Sequence, residues 1–280
     1  MARPSVADKR RTFRKLHESG CWVIPNPWDV GSTRYLQGLG FKALATTSSG
    51  FAWSVAHADN AVPRDTMLVH IAEIVAAADV PVNADFEGGY ADEPAGVAES
   101  VKLCCETGVA GLSIEDSTGN KEKPLYDMPF AVERMKAARA AIDRAGGEVM
   151  LTGRAEGFIS GVPDLEQMIA RLKAYSDAGA DCLYAPGIRT REQIEAVVQA
   201  VAPKPVNFLN GAAFGHTVAD LASMGVRRIS VGGALARSAW GGFIRMAKEI
   251  EQGSFAGFKD AASSGELNGF FTRDKAARDA

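Results

Sequence analysis

The chain of 280 residues carries 31 Lys+Arg against 34 Asp+Glu, a formal net charge of −3, so it has no positive excess with which to hold nucleic acid or an anionic membrane. Hydrophobic residues make up 46% and charged residues 23%, which excludes wholesale disorder, and no apolar run approaches the roughly 20 residues that cross a bilayer. Met1 to Arg14 is basic and lacks an apolar stretch, so no secretory signal is expected, and the cysteines Cys21, Cys104, Cys105 and Cys182 form neither a disulfide framework nor a CxxC pair; reduced thiols in a cytoplasmic protein are the expectation.

Taken in chain order, Ser5 to Ser19 reads as an N-terminal helix. Short apolar runs then recur as strands: Cys21–Ile24 (ended by Pro25-Asn26-Pro27), Ala43–Thr47, Pro81–Asp85, Gly111–Glu115, Val149–Arg154, Cys182–Ala185, Pro205–Leu209 and Arg228–Val231. Each is bounded by Gly, Pro or charge and is apolar through its middle, as strands of a buried parallel sheet are. Helical patterns fill the gaps. Arg64–Ala78 spaces Met67, Leu68, Ile71, Ile74 and Val75 for one helix; Pro94 opens Ala95–Thr107 and Pro163 opens Asp164–Ala178, where the missing proline donor costs nothing. Gly40, Gly108, Gly179 and Gly225 close helices before the next strand.

Eight such units in about 230 residues point to an α/β protein of the (β/α)8 barrel type, for which about 250 residues is typical. An open doubly wound sheet is the alternative, weakened because no Gly-x-Gly-x-x-Gly follows the first strand. The expectation is one domain over 1–280, with the barrel at about 20–250 and a helical extension at about 251–280. Helix continues past Trp240 to about Gln252, followed by Phe255–Ala262 and Leu267–Ala280; these segments either pack on a neighbouring subunit or, after Thr272, end as a frayed polar tail.

In such a barrel the C-terminal ends of the strands converge on one mouth. The third strand ends in Asp85-Phe86-Glu87, with both acids on one face; the fourth ends in Glu115-Asp116 and the fifth in Arg154-Ala155-Glu156. Clustered carboxylates raise one another's pKa unless a cation lies among them, and an all-oxygen set favours Mg²⁺ or Mn²⁺. Arg154 suits a substrate carboxylate held bidentately. The bland alternative is that these acids cap helices. Thr47, Ser48 and Ser49 after the second strand are candidates to hold a carboxylate and equally an ordinary helix cap, and Asn210 after the seventh is a candidate substrate donor or a plain turn residue. No lysine ends a strand, which argues against a Schiff-base aldolase. His17 and His70 read as helix-surface residues, and His216 as the start of a helix rather than a group at the mouth.

The phrases Ala84-Asp85-Phe86-Glu87-Gly88-Gly89-Tyr90, Ile114-Glu115-Asp116, Thr152-Gly153-Arg154-Ala155-Glu156 and Trp28-Asp29 to Gly40-Phe41 occur in an order and spacing that resembles the isocitrate lyase / phosphoenolpyruvate mutase superfamily over roughly Pro25 to Ala247. The resemblance implies a (β/α)8 barrel, often a tetramer whose last barrel helix swaps between subunits, and hence a homo-oligomer, tetramer or dimer. It implies Mg²⁺ and a small 2-oxo or 2-hydroxy acid, with C–C or P–C bonds broken next to that group through an enolate. By position it makes Asp85 the direct metal ligand, Glu87 and Glu115 ligands through water, and Asp59 a further acid near the metal. Thr47, Ser48 and Ser49 then fall where the family holds the substrate carboxylate, and Arg154 where its arginine binds substrate.

The departures bear on the reaction. The loop Ser117 to Pro124 has neither the cysteine nor the histidine that the isocitrate and methylisocitrate lyases carry there, and Tyr184-Ala185-Pro186 replaces the family's Glu or His after the sixth strand. Asn120 and Tyr184 become the candidates for proton contacts. The expected activity is a Mg²⁺-dependent lyase or decarboxylase of a small 2-oxo or 2-hydroxy (di)carboxylic acid. Alternatives are a P–C bond enzyme acting on phosphonopyruvate, and a barrel that binds a dicarboxylate or metal without turnover.

Overall fold

A computed structural model describes residues 3–279. Its helices and strands run α1 (Val6–Leu16), β1 (Trp22–Ile24), α2 (Val30–Gly38), β2 (Leu44–Ala45), α3 (Ser48–Ser54), α4 (Arg64–Ala77), β3 (Val82–Asp85), α5 (Pro94–Glu106), β4 (Gly111–Glu115), α6 (Met128–Arg144), β5 (Met150–Arg154), α7 (Leu165–Asp177), β6 (Cys182–Tyr184), α8 (Arg191–Val201), β7 (Val206–Leu209), α9 (Val218–Ser223), β8 (Arg228–Ser230), α10 (Ala234–Glu251) and α11 (Ser264–Asp279), with a 3₁₀ turn at Ala256–Asp260 before the last. The strands pair in parallel in the order β1-β8-β7-β6-β5-β4-β3-β2. This is the expected (β/α)8 barrel, its strands displaced from the sequence reading by no more than two residues at either end.

The β1–β2 edge closes by a different device. Pro25 and Pro27 remove the donors that would continue β1. A single backbone bond, Ala45 N–H to Pro25 O at 3.1 Å, crosses the gap. The buried Asn26 side chain does the rest: Nδ2 donates to Thr46 O at 2.8 Å, while Oδ1 accepts from the amides of Val231 and Gly232, each at 2.9 Å. One amide therefore ties together β1, β2 and the end of β8.

Strand alternation divides the residues into two sets. Val82, Ala84, Leu112, Ile114, Leu151, Leu183, Val206, Phe208 and Ile229 join the apolar core with residues of the helices. Asn83, Asp85, Ser113, Glu115, Arg154, Tyr184, Asn207, Arg228 and Ser230 line the central cavity instead. The barrel interior is thus polar well below the mouth. Its N-terminal end is covered by α1, whose Phe13 is fully buried in a small cluster with Ile24, Ala43, Ala45, Ala110 and Met150.

Two of the histidine expectations are corrected. His17 and His70 are buried, not on the surface. His17 packs edge-on against Phe13 and Trp22, with Nδ1 2.8 Å from Phe13 O and Nε2 3.2 Å from Arg228 Nη1. Because Arg228 can only donate, Nε2 is the acceptor and Nδ1 carries the proton. Burial and the Arg228 charge push the pKa of His17 down to about 3, in keeping with that neutral ring. His70 stacks on Phe51 with ring centroids 3.7 Å apart, and burial lowers its pKa to about 4.

The chain end also differs from a frayed tail. α11 continues through Asp279 and docks on α2; Ala280 lies outside the described residues. Phe270 occupies the space above Gly38, where a Cβ would come within 2.5 Å of the ring, and Asp274 pairs with Arg34 at 2.6 Å. α10 buries only Ala236 and exposes Trp240, Phe243, Ile244 and Ile250. Among the described residues no helix is long and apolar enough to cross a membrane.

Candidate active site

The mouth of the barrel opens into a cavity of about 350 Å³ lined by Thr47, Ser48, Ser49, Asp59, Asp85, Glu115, Arg154, Glu156 and Tyr184, with the polar interior residues beneath. At its centre is the Arg154 guanidinium. Nη1 lies 2.7 Å from Asp85 Oδ1, Nη2 lies 3.1 Å from Glu115 Oε2 and Nε lies 2.9 Å from Glu156 Oε1. The same group lies over the Tyr184 ring, 4.9 Å from its centroid. Strand register explains the convergence, since Glu115 is paired with Arg154 and Arg154 with Tyr184 across adjacent strands.

Asp85 is held from two sides. Its Oδ2 accepts from Ser48 N–H and Ser48 Oγ, both at 3.0 Å, and its own amide donates to Thr46 Oγ1 at 2.9 Å. Thr47 is meanwhile an ordinary cap, its Oγ1 accepting from Gly50 N–H at 3.2 Å, and it lies 3.2 Å from Ser49 Oγ. The cap reading of this loop therefore holds, and the same residues line the cavity, with the Ser48 amide and hydroxyl turned to Asp85. Asp59 joins through Ser48 Oγ at 3.5 Å.

Electrostatically the site has more carboxylate than one arginine balances. Burial first, then the charge of Asp85, raises the pKa of Glu87 to about 7. Asp59 is raised for the same two reasons. Glu115 is pushed well up by burial despite Arg154, and Glu156 is raised likewise. For Arg154, burial opposes the charge, but Glu156, Glu115 and Asp85 outweigh it and hold the guanidinium protonated. Tyr184 is raised to about 12, mainly by burial.

This donor set fits a hard divalent cation. It is all oxygen and carries surplus negative charge in a desolvated place, and a cation beside Asp59, Asp85 and Glu115, which line the cavity, would lower the raised pKa values of Asp59, Glu115 and the adjoining Glu87. Among the described residues no three acids stand together as a ready-made ligand cluster; Mg²⁺ commonly takes few direct carboxylates and keeps several waters.

Other sequence candidates stand elsewhere. Asn120 is exposed on a hairpin, its Oδ1 accepting from Glu122 N–H at 2.9 Å. Asn210 faces away from the central cavity, with Nδ2 3.5 Å from His216 O. His216 directly precedes the Thr217 cap of α9 and contacts Arg189 O at 2.7 Å. Asp116 turns away from the mouth: Oδ1 accepts from Glu156 N–H at 2.8 Å, and Oδ2 accepts from Arg171 at 2.9 Å and Tyr175 at 2.5 Å.

Reading strand ends alone missed the tier below. Arg228 donates from Nε to Asn207 Oδ1 at 2.8 Å and from Nη2 to Thr152 Oγ1 at 3.1 Å, and Asn207 donates to Ser230 Oγ at 2.9 Å. Stepping back two residues from Asp85, Glu115 and Arg154 gives Asn83, Ser113 and Thr152, so the same period-two rule finds this tier.

The family of phosphoenolpyruvate phosphomutases matches residues 13–251. The chain is 30% identical over 206 residues to an oxaloacetate decarboxylase of Paraburkholderia xenovorans strain LB400, covering 70% of this chain and 67% of that one. A crystal structure from Burkholderia cenocepacia J2315, described as of the lyase/mutase type, is 46% identical with a TM-score of 0.91, covering 95% and 96% of the two chains. An oxaloacetate acetylhydrolase solved with its product oxalate is 27% identical with a TM-score of 0.85, covering 98% and 97%. The chain belongs to the phosphoenolpyruvate mutase/isocitrate lyase superfamily of enzymes.

Proposed function

We propose that this chain is a Mg²⁺-dependent lyase or decarboxylase that breaks a C–C bond of a small 2-oxo or 2-hydroxy dicarboxylic acid, with oxaloacetate the first substrate to try. The observation that carries the reading is the convergence of Asp85, Glu115 and Arg154, from three consecutive strands, beside the Ser48 amide. The similarity to an oxaloacetate decarboxylase and an oxaloacetate acetylhydrolase supports the substrate class.

Asp85, with Glu87, Glu115 and Asp59 around it, would hold Mg²⁺. When bound, the ion supplies Lewis-acid stabilisation of charge developing on the substrate's oxo oxygen. The chain's own groups do the rest. Arg154, now shared among Asp85, Glu115 and Glu156, would exchange one of these acids for a substrate carboxylate, and Thr47, Ser48 and Ser49 stand beside it as hydroxyl and amide donors, with the Ser48 pair to be released from Asp85. In decarboxylation of oxaloacetate the C3–C4 bond breaks, its electron pair stays on C3 and CO2 leaves. A proton then returns to C3, giving pyruvate. Tyr184 lines the cavity and keeps its proton at neutral pH, which makes it the proposed donor. Asn120 would contribute only by movement of its hairpin, and Asn210 only by turning inward.

We also infer a cytoplasmic homo-oligomer, tetramer or dimer, whose α10 apolar face is covered by a neighbouring copy or exchanged with it. Nothing in the charge balance recommends a nucleic-acid or membrane partner.

The test is release of pyruvate or glyoxylate from oxaloacetate, 2-methylisocitrate, 2,3-dimethylmalate and phosphonopyruvate, with Mg²⁺ and with chelator, against Asp85→Asn as the blank for metal-only decarboxylation. Metal-dependent turnover of a carbon acid above that blank is expected. Turnover of phosphonopyruvate alone would overturn the C–C assignment in favour of P–C chemistry. Oxalate binding without turnover of any of the four would overturn it in favour of a binding role.

A further inference from the structure

Arg134 lies on α6, outside the cavity, and is 1% exposed. It makes no ion pair with a carboxylate among the described residues. It gathers backbone carbonyls instead: Nε donates to Asp92 O at 2.9 Å, Nη1 to Glu115 O at 3.3 Å, and Nη2 to Ala91 O at 2.8 Å and to Gly88 O. Its guanidinium lies 4.0 Å above the Tyr126 ring centroid, and the Tyr126 hydroxyl donates to Asp92.

These acceptors belong to the turn after β3, which carries Glu87, and to the end of β4, whose Glu115 lines the mouth. The turn after β3 is held in an unusual shape, with Glu87 at φ +47°, Gly89 at +76° and Tyr90 at +56°. Non-glycine residues stay in the left-handed region only where surrounding contacts hold them there. Gly89 N–H donates to Phe86 O at 2.9 Å within the turn, and two further contacts tie the turn to β4. Glu115 N–H donates to Glu87 O at 3.1 Å, and Arg134 bridges Gly88 O to Glu115 O. A Cβ at residue 88 would lie 3.3 Å from Nη2, tighter than an ordinary contact, so the bridge would have to shift by a few tenths of an ångström to admit it.

We propose that Arg134 is a positioning residue that fixes the separation of the Glu87 and Glu115 carboxylates, and through it the affinity of the mouth for a divalent cation. This rests on the Mg²⁺ reading above.

The test is direct Mn²⁺ binding, followed by the free-ion electron paramagnetic resonance signal, with thermal unfolding recorded on each sample. Arg134→Gln and Arg134→Lys are compared with wild type and with Arg171→Lys. Arg171 is a buried arginine of the neighbouring helix that holds Asp116 and Tyr126 O but reaches neither acid. Losing a group that orients metal-binding acids weakens metal affinity by about 10- to 100-fold. That loss is expected for Arg134→Gln, with part of it recovered in Arg134→Lys, and with Arg171→Lys lowering the melting temperature at near wild-type Mn²⁺ affinity. Gly88→Ala reaches the same contact from the other side, keeps the core intact and is expected to weaken Mn²⁺ in the same sense. It keeps the question open to an answer should the arginine variants not fold.

Folded Arg134 variants or Gly88→Ala with wild-type Mn²⁺ affinity would overturn the positioning role. Equal weakening by Arg171→Lys would show general loosening and overturn it too. Wild type that binds no Mn²⁺ would bring down the metal reading together with the proposal, whereas wild type that binds while the variants match it removes the proposal alone.

Discussion

Nη1 of Arg154 lies 2.7 Å from Oδ1 of Asp85, and the same guanidinium also serves Glu115 and Glu156. The two partners are therefore unequal: removing the arginine strips three acids of their countercharge, whereas removing the aspartate relieves repulsion. Arg154→Gln is expected to abolish turnover and to destabilise the chelator-treated protein by about 3 kcal/mol at pH 8. Asp85→Asn is expected to abolish turnover while leaving that stability unchanged or higher. Urea unfolding of both variants in chelator checks the contrast.

Glu87 titrates near 7 in the folded chain against an ordinary value near 4.5. Between those limits the folded chain binds a proton that the unfolded chain has released, so stability falls as pH rises through the window. The full contribution is at most about 3 kcal/mol. A cation at the mouth keeps Glu87 ionised at lower pH, so added Mg²⁺ is expected to raise the melting temperature more at pH 8 than at pH 5.5. An equal increment at both values would count against Glu87 as a group near the metal.

The buried histidines act with the opposite sign. His70 and His17 titrate near 4 and 3, well below 6.5, so the unfolded chain binds more protons as pH falls beneath 6.5 and stability drops. His70→Phe keeps the stack on Phe51 and removes a buried ring nitrogen that has no hydrogen-bond partner. It is expected to be the more stable protein at pH 4.5, by about 2 kcal/mol, with a much smaller advantage at pH 7.5. Urea midpoints at the two pH values measure this.

Arg34 holds Asp274 through Nε at 3.0 Å and Nη2 at 2.6 Å, and keeps a second acid, Asp79, at 2.7 Å. Asp274→Ala leaves Arg34 partly paired, so the loss should be smaller than for an isolated buried charge, about 2 kcal/mol. It should be local. Hydrogen exchange is expected to rise across α11 while the barrel strands keep their protection.

The eight strands were legible because each is a short apolar run stopped by Gly, Pro or charge, and the acids at their ends followed from geometry common to all such barrels. His70 was also legible: it shares a stripe with Met67, Ile71 and Ile74 at helical spacing, and its polarity obscured that. His17 was not, because its burial depends on α1 docking across the barrel floor. Asn120 and Asn210 sit next to the right strands, but Asn120 bonds to Glu122 N–H within its own hairpin and Asn210 faces away from the cavity toward His216 O. Arg134 has no signature in sequence, since its partners are backbone carbonyls and any residue type supplies those.

The Asn26 closure bears on how the chain acquires its shape. Asn26 bonds to amides 205 and 206 positions away, and His17 meets Arg228 across 211. Such contacts form only after long loops have closed, and they reward nothing earlier. A nascent chain lacking β8 leaves β1 with a single backbone bond to its other neighbour, and leaves α1 covering an unfinished ring. Completion of the barrel is therefore expected to be late, slow and all-or-none, with the first twenty-five residues waiting on the last fifty.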